Sequence, residues 1–507
     1  MSATEEKPAA AKPAAAAKPA GDPEDIIKNY WYPDKSVNGR EVARADEKSF
    51  GAVARKVLVG VAVGAAGAAA WLYLPRWLVT PHAVAMYALV AVLCVCTAVW
   101  ARRRRTVYLL DFSVLRPADD CKMSKDRFDL QSVRSGYFGE EALAFQKRLN
   151  HRTGLGDETY LPRPFFDEHP GNFTIEQARD EALSTITGCC DDLFAKTGVQ
   201  PRDIDFVVFN CSLFCPTPSL AAMIINHYKM RSDVKNFNLG GMGCSAGLVS
   251  IDLARDLLEV YPNSTALVFS TENITMNWYP GQTKGMLLSN TLFRVGGAAI
   301  LLTNKRALAS RAKYELVTTQ RVITAADDEA HHAIYQMTDP DGQRGVKISR
   351  DLAKCVAKAM TINLTRIAPR VLPLSEIARY ALDWLRRRTS TAYRTAHPHA
   401  YVPNFRAAFD HFCIHAGGRA IIDAIEQNFH LTEDDCMPSR ATLYRYGNTS
   451  SSSVWYEMNY IEGRGLQKKG DRTFQIAFGS GLKCNTVVWK ALHTMPAPGP
   501  LPEQYTF

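Results

Sequence analysis

Residues 236–248 read NFNLGGMGCSAGL, and this stretch decides the fold class. Asn236 to Leu239 suits a short strand, Gly240, Gly241 and Gly243 permit a tight turn, and a helical pattern follows from Ala246 to Glu259. A strand that passes through glycines into a helix is a building unit of layered α/β proteins. Cys244 stands at the junction, where the helix begins. Glycine lacks a Cβ, so the backbone there can adopt strained angles and approach a ligand closely. A thiol at a helix N-terminus feels the positive end of the helix dipole, which favours thiolate. The alternative is a small buried cysteine beside a packing turn. A dinucleotide-binding reading fits worse, because the spacing is not GxGxxG.

Outward from this point the chain alternates. A helical stretch near 175–197 leads to a β-rich run at Asp205–Ser212, and Thr265–Thr271 and Gly297–Thr303 are two more buried-strand candidates. Further on, His411–His415 reads as a strand, Ala420–Asn428 and Ser452–Tyr460 as helices, and Thr473–Phe478 and Thr486–Lys490 as strands. The alternation predicts an α/β domain over 106–507 in two halves, about 106–345 and 346–507, as a duplication would leave.

The N-terminal part is of another kind. Residues 1–24 are mostly Ala, Lys and Pro and read as a disordered tail, with no apolar core of a signal peptide. Residues 25–56 follow as a cytosolic segment. The runs 57–74 and 83–101 contain no charge over 18 and 19 residues, about what a helix needs to cross a bilayer. They predict a two-helix transmembrane hairpin over 57–105. Arg55 and Lys56 precede the first helix and Arg102 to Arg105 follow the second, which puts both flanks in the cytosol. Asn-x-Ser/Thr triplets at Asn172, Asn263, Asn363 and Asn448 would suit a lumenal domain instead.

The formal net charge of +9 in 507 residues is too mild to point to nucleic acid. Twelve cysteines without a CxxC pair disfavour a zinc ribbon and suit a reduced compartment.

Three further clusters carry polar chemistry. In HFCIHAGG (411–418) the strand period puts His411 and His415 on one face, and the glycines expose His415 at the strand end. Two histidines without an evident third ligand make a weak metal site, and His411 by itself suits a satisfied core position. Gly447-Asn448 precedes a Thr/Ser run that N-capping explains, yet an Asn amide also serves as an oxyanion donor. FGSGLKC (478–484) is a glycine turn between strands, able to line a pocket or merely to close a hairpin. Cysteine, histidine and asparagine together form a set suited to acyl transfer.

The blocks VYLLDFS (107–113), GLGDETYLP (154–162), NLGGMGCSAG (238–247), STENIT (270–275), LFRVGGAAILL (292–302), HFCIHAGGRA (411–420), GNTSSSSVWYE (447–457) and FGSGLKCN (478–485) stand in this order. With the preceding hairpin, they resemble a plant-type 3-ketoacyl-CoA synthase, the condensing enzyme of very-long-chain fatty acid elongation. The resemblance implies a thiolase-like αβαβα fold, usually dimeric. It implies Cys244 as the acyl-accepting nucleophile and His415 and Asn448 as its catalytic partners. Gly243, Gly447, Gly479, Gly481 and His411 are expected near the substrate. Acyl-CoA and malonyl-CoA are the expected substrates, with no metal and no cofactor, because decarboxylation supplies the carbanion.

A ketoacyl-CoA reductase, a dehydratase and an enoyl-CoA reductase are the expected partners, on the endoplasmic reticulum membrane. The rival readings are a type III polyketide synthase and an inactive scaffold of the elongation complex. Two departures are visible: Ile323 occupies the place of a histidine common in the family, and Cys215 that of an asparagine. Leu374–Arg388 reads as an amphipathic basic helix, suited either to a bilayer surface or to an ordinary protein surface.

Overall fold

The structure is a computed structural model, and it describes residues 105–496 apart from 168–172 and 398–400, together with the single residue Leu89. The expected tail, the 25–56 segment and, but for Leu89 and Arg105, the hairpin lie outside the described residues. Among the described residues no helix is long and apolar enough to cross a membrane.

Thirteen strands are described: β1 (Tyr108–Val114), β2 (Lys122–Met123), β3 (Thr159–Tyr160), β4 (Phe206–Asn210), β5 (Lys235–Leu239), β6 (Thr265–Thr271), β7 (Gly297–Thr303), β8 (Tyr314–Ile323), β9 (Ile334–Thr338), β10 (Arg344–Ile348), β11 (His411–Ile414), β12 (Arg472–Gly479) and β13 (Lys483–Ala491). Nine of them form one mixed sheet in the order β11-β12-β13-β8-β1-β7-β6-β4-β5. The join between β8 and β1 spans only two residue pairs, Tyr108↔Glu315 and Leu109↔Tyr314. The sheet thus divides there into two halves that act as separate layers.

The cores show how the layers stack. Leu248, Ile251, Ala254 and Leu258 of the helix Ala246–Val260 share one cluster with Val454, Trp455, Met458 and Ile461 of the helix Ser453–Gly463. That cluster takes Val208, Val268 and Ile300 from one half-sheet and Cys413, Ala477, Val487 and Trp489 from the other. These two helices are therefore the central layer. The helix Ile175–Thr197 covers the outer face of the first half-sheet through Ile186, Cys189 and Leu193. The helices Leu352–Val371 and Arg419–Phe429 cover the second through Val356, Ala359, Ile422 and Ile425. The order is helix, sheet, helix, sheet, helix, which is the expected αβαβα arrangement.

A strand covered on both faces is apolar at every position rather than at alternate ones. That is why TALVFST and GAAILLT, buried at all seven positions each, form β6 and β7 over the span their sequence predicts. The helices at Ile175–Thr197 and Ala246–Val260 also stand where expected. β1 and β8 carry no such run: β8 mixes buried and exposed positions, and its Thr, Gln and Arg residues hide the pattern. The hairpin β9–β10 has mostly exposed side chains and is equally quiet in sequence.

Candidate active site

Two strand ends and one loop bring the predicted side chains together. β5 ends at Leu239, and the turn through Gly240 to Gly243 delivers Cys244 to the start of the helix Ala246–Val260. Gly243 has φ +70°, and a Cβ there would stand 2.3 Å from the backbone nitrogen of Ser480. Gly479 answers it: a Cβ there would come within 2.7 Å of the Met242 carbonyl oxygen. The two glycine turns interlock at backbone distance, and the second one supports the nucleophile loop.

Cys244 is half-buried, and its sulfur lies 3.5 Å from Ser450 Oγ. Burial pushes its thiol up to about 12; the Ser450 hydroxyl opposes this and the Glu272 carboxyl adds to it. The expectation that the helix terminus favours thiolate is thus corrected. A dipole contribution of the usual size does not offset removal of the charged sulfur from water.

His415 follows the last residue of β11 and is 3% exposed. Burial holds it down at about 4, so the imidazole is neutral. Its Nδ1 lies 2.6 Å from Ser453 Oγ, whose hydroxyl donates to the Ser450 carbonyl (3.1 Å). With that hydroxyl hydrogen engaged, Nδ1 carries the imidazole hydrogen and Nε2 is left as an acceptor. Nε2 lies beside Gly417, where a Cβ would approach it to 3.2 Å.

Asn448 is 4% exposed and its backbone is pinned on both sides, its N–H to Leu292 and its carbonyl to the Arg294 N–H. Its side-chain oxygen accepts from the Ser450 N–H (2.8 Å), which turns the amide nitrogen toward Gly417, whose carbonyl it meets at 3.4 Å. A second amide hydrogen is then left for a bound molecule.

Cys244, His415 and Asn448 line one cavity of about 390 Å³. Gly243 and Gly481 line it too, whereas Gly479 stands behind the nucleophile loop. Its walls are largely apolar, among them Leu292, Phe293, Val346, Leu352, Val356 and Phe478. Besides Gly479, two expectations are corrected. His411 lies outside this cavity, and its Nε2 pairs with Asp471 Oδ2 at 3.0 Å. It starts β11 while His415 follows its end, so the strand length separates the two rings. Gly447 also lies outside; its φ of +68° and the Arg294 side chain, 2.5 Å from where a Cβ would be, make it a packing position.

Three residues at the cavity escape the sequence analysis. Ser450 and Glu272 stand in quoted blocks, but nothing in an N-capping run or a strand end marks them. Glu272 accepts from the Ser212 and Leu213 N–H groups (3.1 and 2.9 Å), Cys211 Sγ (3.3 Å) and Ser450 Oγ (3.2 Å). Burial raises its pKa. His331 lines the cavity beside Tyr335, with ring centroids 5.6 Å apart, and the adjacent His331-His332 pair was its only signal. Ile323, in the place of the family histidine, is 62% exposed at the end of β8 and does not line the cavity.

The same chain path is found in solved structures at low identity. A fungal type III polyketide synthase, ORAS, aligns with a TM-score of 0.60 at 18% identity, covering 76% of this chain and 99% of that one. The 1,3,6,8-tetrahydroxynaphthalene synthase of Streptomyces coelicolor A3(2) aligns with a TM-score of 0.58 at 21% identity, covering 76% and 99%. The molecule thus has the thiolase-like fold of the type III polyketide synthases.

Residues 99–389 match the family model described as FAE1/type III polyketide synthase-like protein, and residues 391–493 the C-terminal domain of chalcone and stilbene synthases. The chain is 49% identical to 3-ketoacyl-CoA synthase 2 of Arabidopsis thaliana over 79% of its own length and 75% of the relative's. It is 46% identical to 3-ketoacyl-CoA synthase 6 of the same plant over 81% and 83%. The chain belongs to this FAE1/type III polyketide synthase-like family, and within it to the 3-ketoacyl-CoA synthases.

Proposed function

We propose that the chain condenses a long-chain acyl-CoA with malonyl-CoA, releasing CO2 and CoA and giving a 3-ketoacyl-CoA two carbons longer, as the first step of very-long-chain fatty acid elongation. The observation that carries this reading is the meeting of Cys244, His415 and Asn448 in one apolar-walled cavity.

His415 Nε2 takes the proton of the Cys244 thiol as the sulfur attacks the acyl thioester. The backbone N–H of Cys244 supports the tetrahedral oxyanion. CoA leaves as a thiolate and takes a proton from water, and the acyl group stays on the sulfur. His415 now carries hydrogens on both nitrogens. Malonyl-CoA enters and loses CO2; the electron pair of the broken C–C bond moves onto the thioester oxygen, held by His415 Nε2–H and Asn448 Nδ2–H. The enolate carbon attacks the acyl carbonyl, the Cys244 sulfur departs, and it takes its proton back from His415. Each donor to the developing charge contributes on the order of 3 kcal/mol. No metal or redox group is required, since decarboxylation supplies the nucleophilic carbon.

The charge-free runs 57–74 and 83–101 anchor the enzyme in the endoplasmic reticulum membrane as a hairpin, with the catalytic domain in the cytosol. Their lengths and the arginines that follow support this, as does the substrate, whose chain costs roughly 0.8 kcal/mol per CH₂ to hold in water. Two glycosylation-like triplets speak against a lumenal domain: Asn448 is buried, and Asn363 is fully buried with its amide donating to the Gln320 and Cys484 carbonyls. A homodimer, and a ketoacyl-CoA reductase, dehydratase and enoyl-CoA reductase acting on the product, complete the proposal on the ground of the family resemblance.

The test uses the full chain in detergent. Incubation with a saturated long-chain acyl-CoA should add one acyl group to the Cys244 peptide, read by mass spectrometry, and Cys244→Ser should show none. Malonyl-CoA should then discharge it as a product one unit longer. Products with several units and a closed ring would instead identify a polyketide synthase.

A further inference from the structure

The helix Leu374–Thr389 uses one side to hold the molecule. Its buried Glu376 accepts from the Tyr401 hydroxyl (2.7 Å) and the Asn404 N–H (2.8 Å), and Arg387 pairs with Asp383 at 2.7 Å. At 3.6 residues per turn Leu374, Ala378, Leu382 and Leu385 fall on the opposite face. The three leucines are 84%, 47% and 50% exposed. Arg379 and Arg386 border this face on one side and Arg388 on the other. A helix on a water-facing surface turns its leucines inward. This one turns them outward and rims them with guanidinium groups, as helices lying in the plane of a membrane do.

Position in the fold says what covers the face. One row of paired residues crosses the sheet from Arg472 to Lys490, to Glu315 and to Tyr108. Arg472 also donates to the Val371 carbonyl (3.0 Å), at the end of the helix that leads into Leu374. The exposed helix thus starts at the same end of the strands as β1, which belongs to the other half-sheet and starts three residues after Arg105. Arg105 donates to the carbonyls of Glu259 and Val260, and Val260 is 67% exposed beside it. The charge-free run 83–101 ends four residues before Arg105. In sequence the two apolar runs thus come just before Arg105, at the strand ends that also lead into the outward-facing leucines and arginines.

We propose that the outer face of Leu374–Thr389, with Val260 next to Arg105, is a second membrane contact that seats the catalytic domain on the bilayer. The leucines enter the boundary between headgroups and acyl chains, and Arg386 and Arg388 meet anionic lipid phosphates. The domain is then held at two places and keeps a fixed orientation. This inference rests on the reading of 57–101 as a membrane hairpin.

The test places photoreactive benzoylphenylalanine at Leu382 of the full chain, in vesicles of phosphatidylcholine and labelled phosphatidylserine. A lipid adduct is expected at this position, and none with the same residue at Glu140, an exposed position on the helix Glu140–Asn150. No lipid adduct at 382, or one to protein alone, overturns the proposal. Alkaline carbonate extraction reads the hairpin separately: protein retained in the pellet without the adduct sinks only the second contact, whereas protein released into the supernatant sinks the hairpin.

Discussion

Ser450 touches the machinery of all three reacting side chains. Its N–H fixes the Asn448 carboxamide, its carbonyl accepts from the Ser453 hydroxyl that meets His415, and its own hydroxyl lies between Cys244 Sγ and Glu272 Oε2. It does so at φ +56°, unusual for a residue with a Cβ and the kind of local strain that persists where surrounding contacts over-determine it. Ser450→Ala keeps both backbone bonds and removes the hydroxyl, so Asn448 and His415 stay oriented while Glu272 loses a donor. The expected result is a loss of about 1–3 kcal/mol in stability, measured by denaturant unfolding, with slower acylation of Cys244. Asn448→Ala separates the steps. Acyl-enzyme should still form, while decarboxylation of malonyl-CoA falls by about 10²-fold or more, as for loss of an oxyanion donor. Equal loss in both steps would remove Asn448 from the enolate site. At this scale Cys244, His415 and Asn448 were legible because each stands beside glycines or at an element end, whereas Ser450 is one serine in a run of four.

The interlocked turns of Gly243 and Gly479 are an element-scale device. β5 with its helix and β12 with β13 are distant in sequence, and their turns meet so closely that neither tolerates a methyl group. Gly243→Ala adds the left-handed penalty of about 1–2 kcal/mol and a clash with the Ser480 backbone. It should lower the melting temperature and abolish acylation. Gly136→Ala is the control: at φ +71° with no atom within 4 Å it bears the backbone penalty alone, and activity should persist. Strands with apolar residues throughout were legible because burial on both faces leaves no alternation to misread. β8 was not, because its partners on both sides, not its composition, make it a strand.

Ionisation belongs to the whole molecule, since burial sets it. Glu181 accepts from the Ile274 and Thr275 N–H groups, and burial raises it to about 7 from 4.5. The folded chain holds that proton more tightly than the unfolded one, so this contribution is complete below pH 4.5 and lost as pH rises toward 7. His415 has the opposite sign: lowered to about 4 from 6.5, its contribution is complete above pH 6.5 and lost as pH falls toward 4. Each shift corresponds to on the order of 3 kcal/mol, so the two nearly cancel between pH 4.5 and 6.5. Glu181→Gln leaves His415 unopposed. Its melting temperature should climb with pH across that window more steeply than that of the wild type, and parallel curves would show that Glu181 is not held protonated.

By itself the sequence determined the segments and the chemical types: where buried strands and the main helices run, and which cysteine, histidine and asparagine stand at their ends. These are local properties, carried by periodicity and by neighbours along the chain. Only the tertiary structure decided that the three meet in one cavity, that His411 pairs with Asp471 instead, that Gly479 braces the nucleophile turn, and that the thiol and the imidazole rest uncharged. Contact between distant elements and the loss of water around a group arise when layers pack, and no short stretch of residues contains that information.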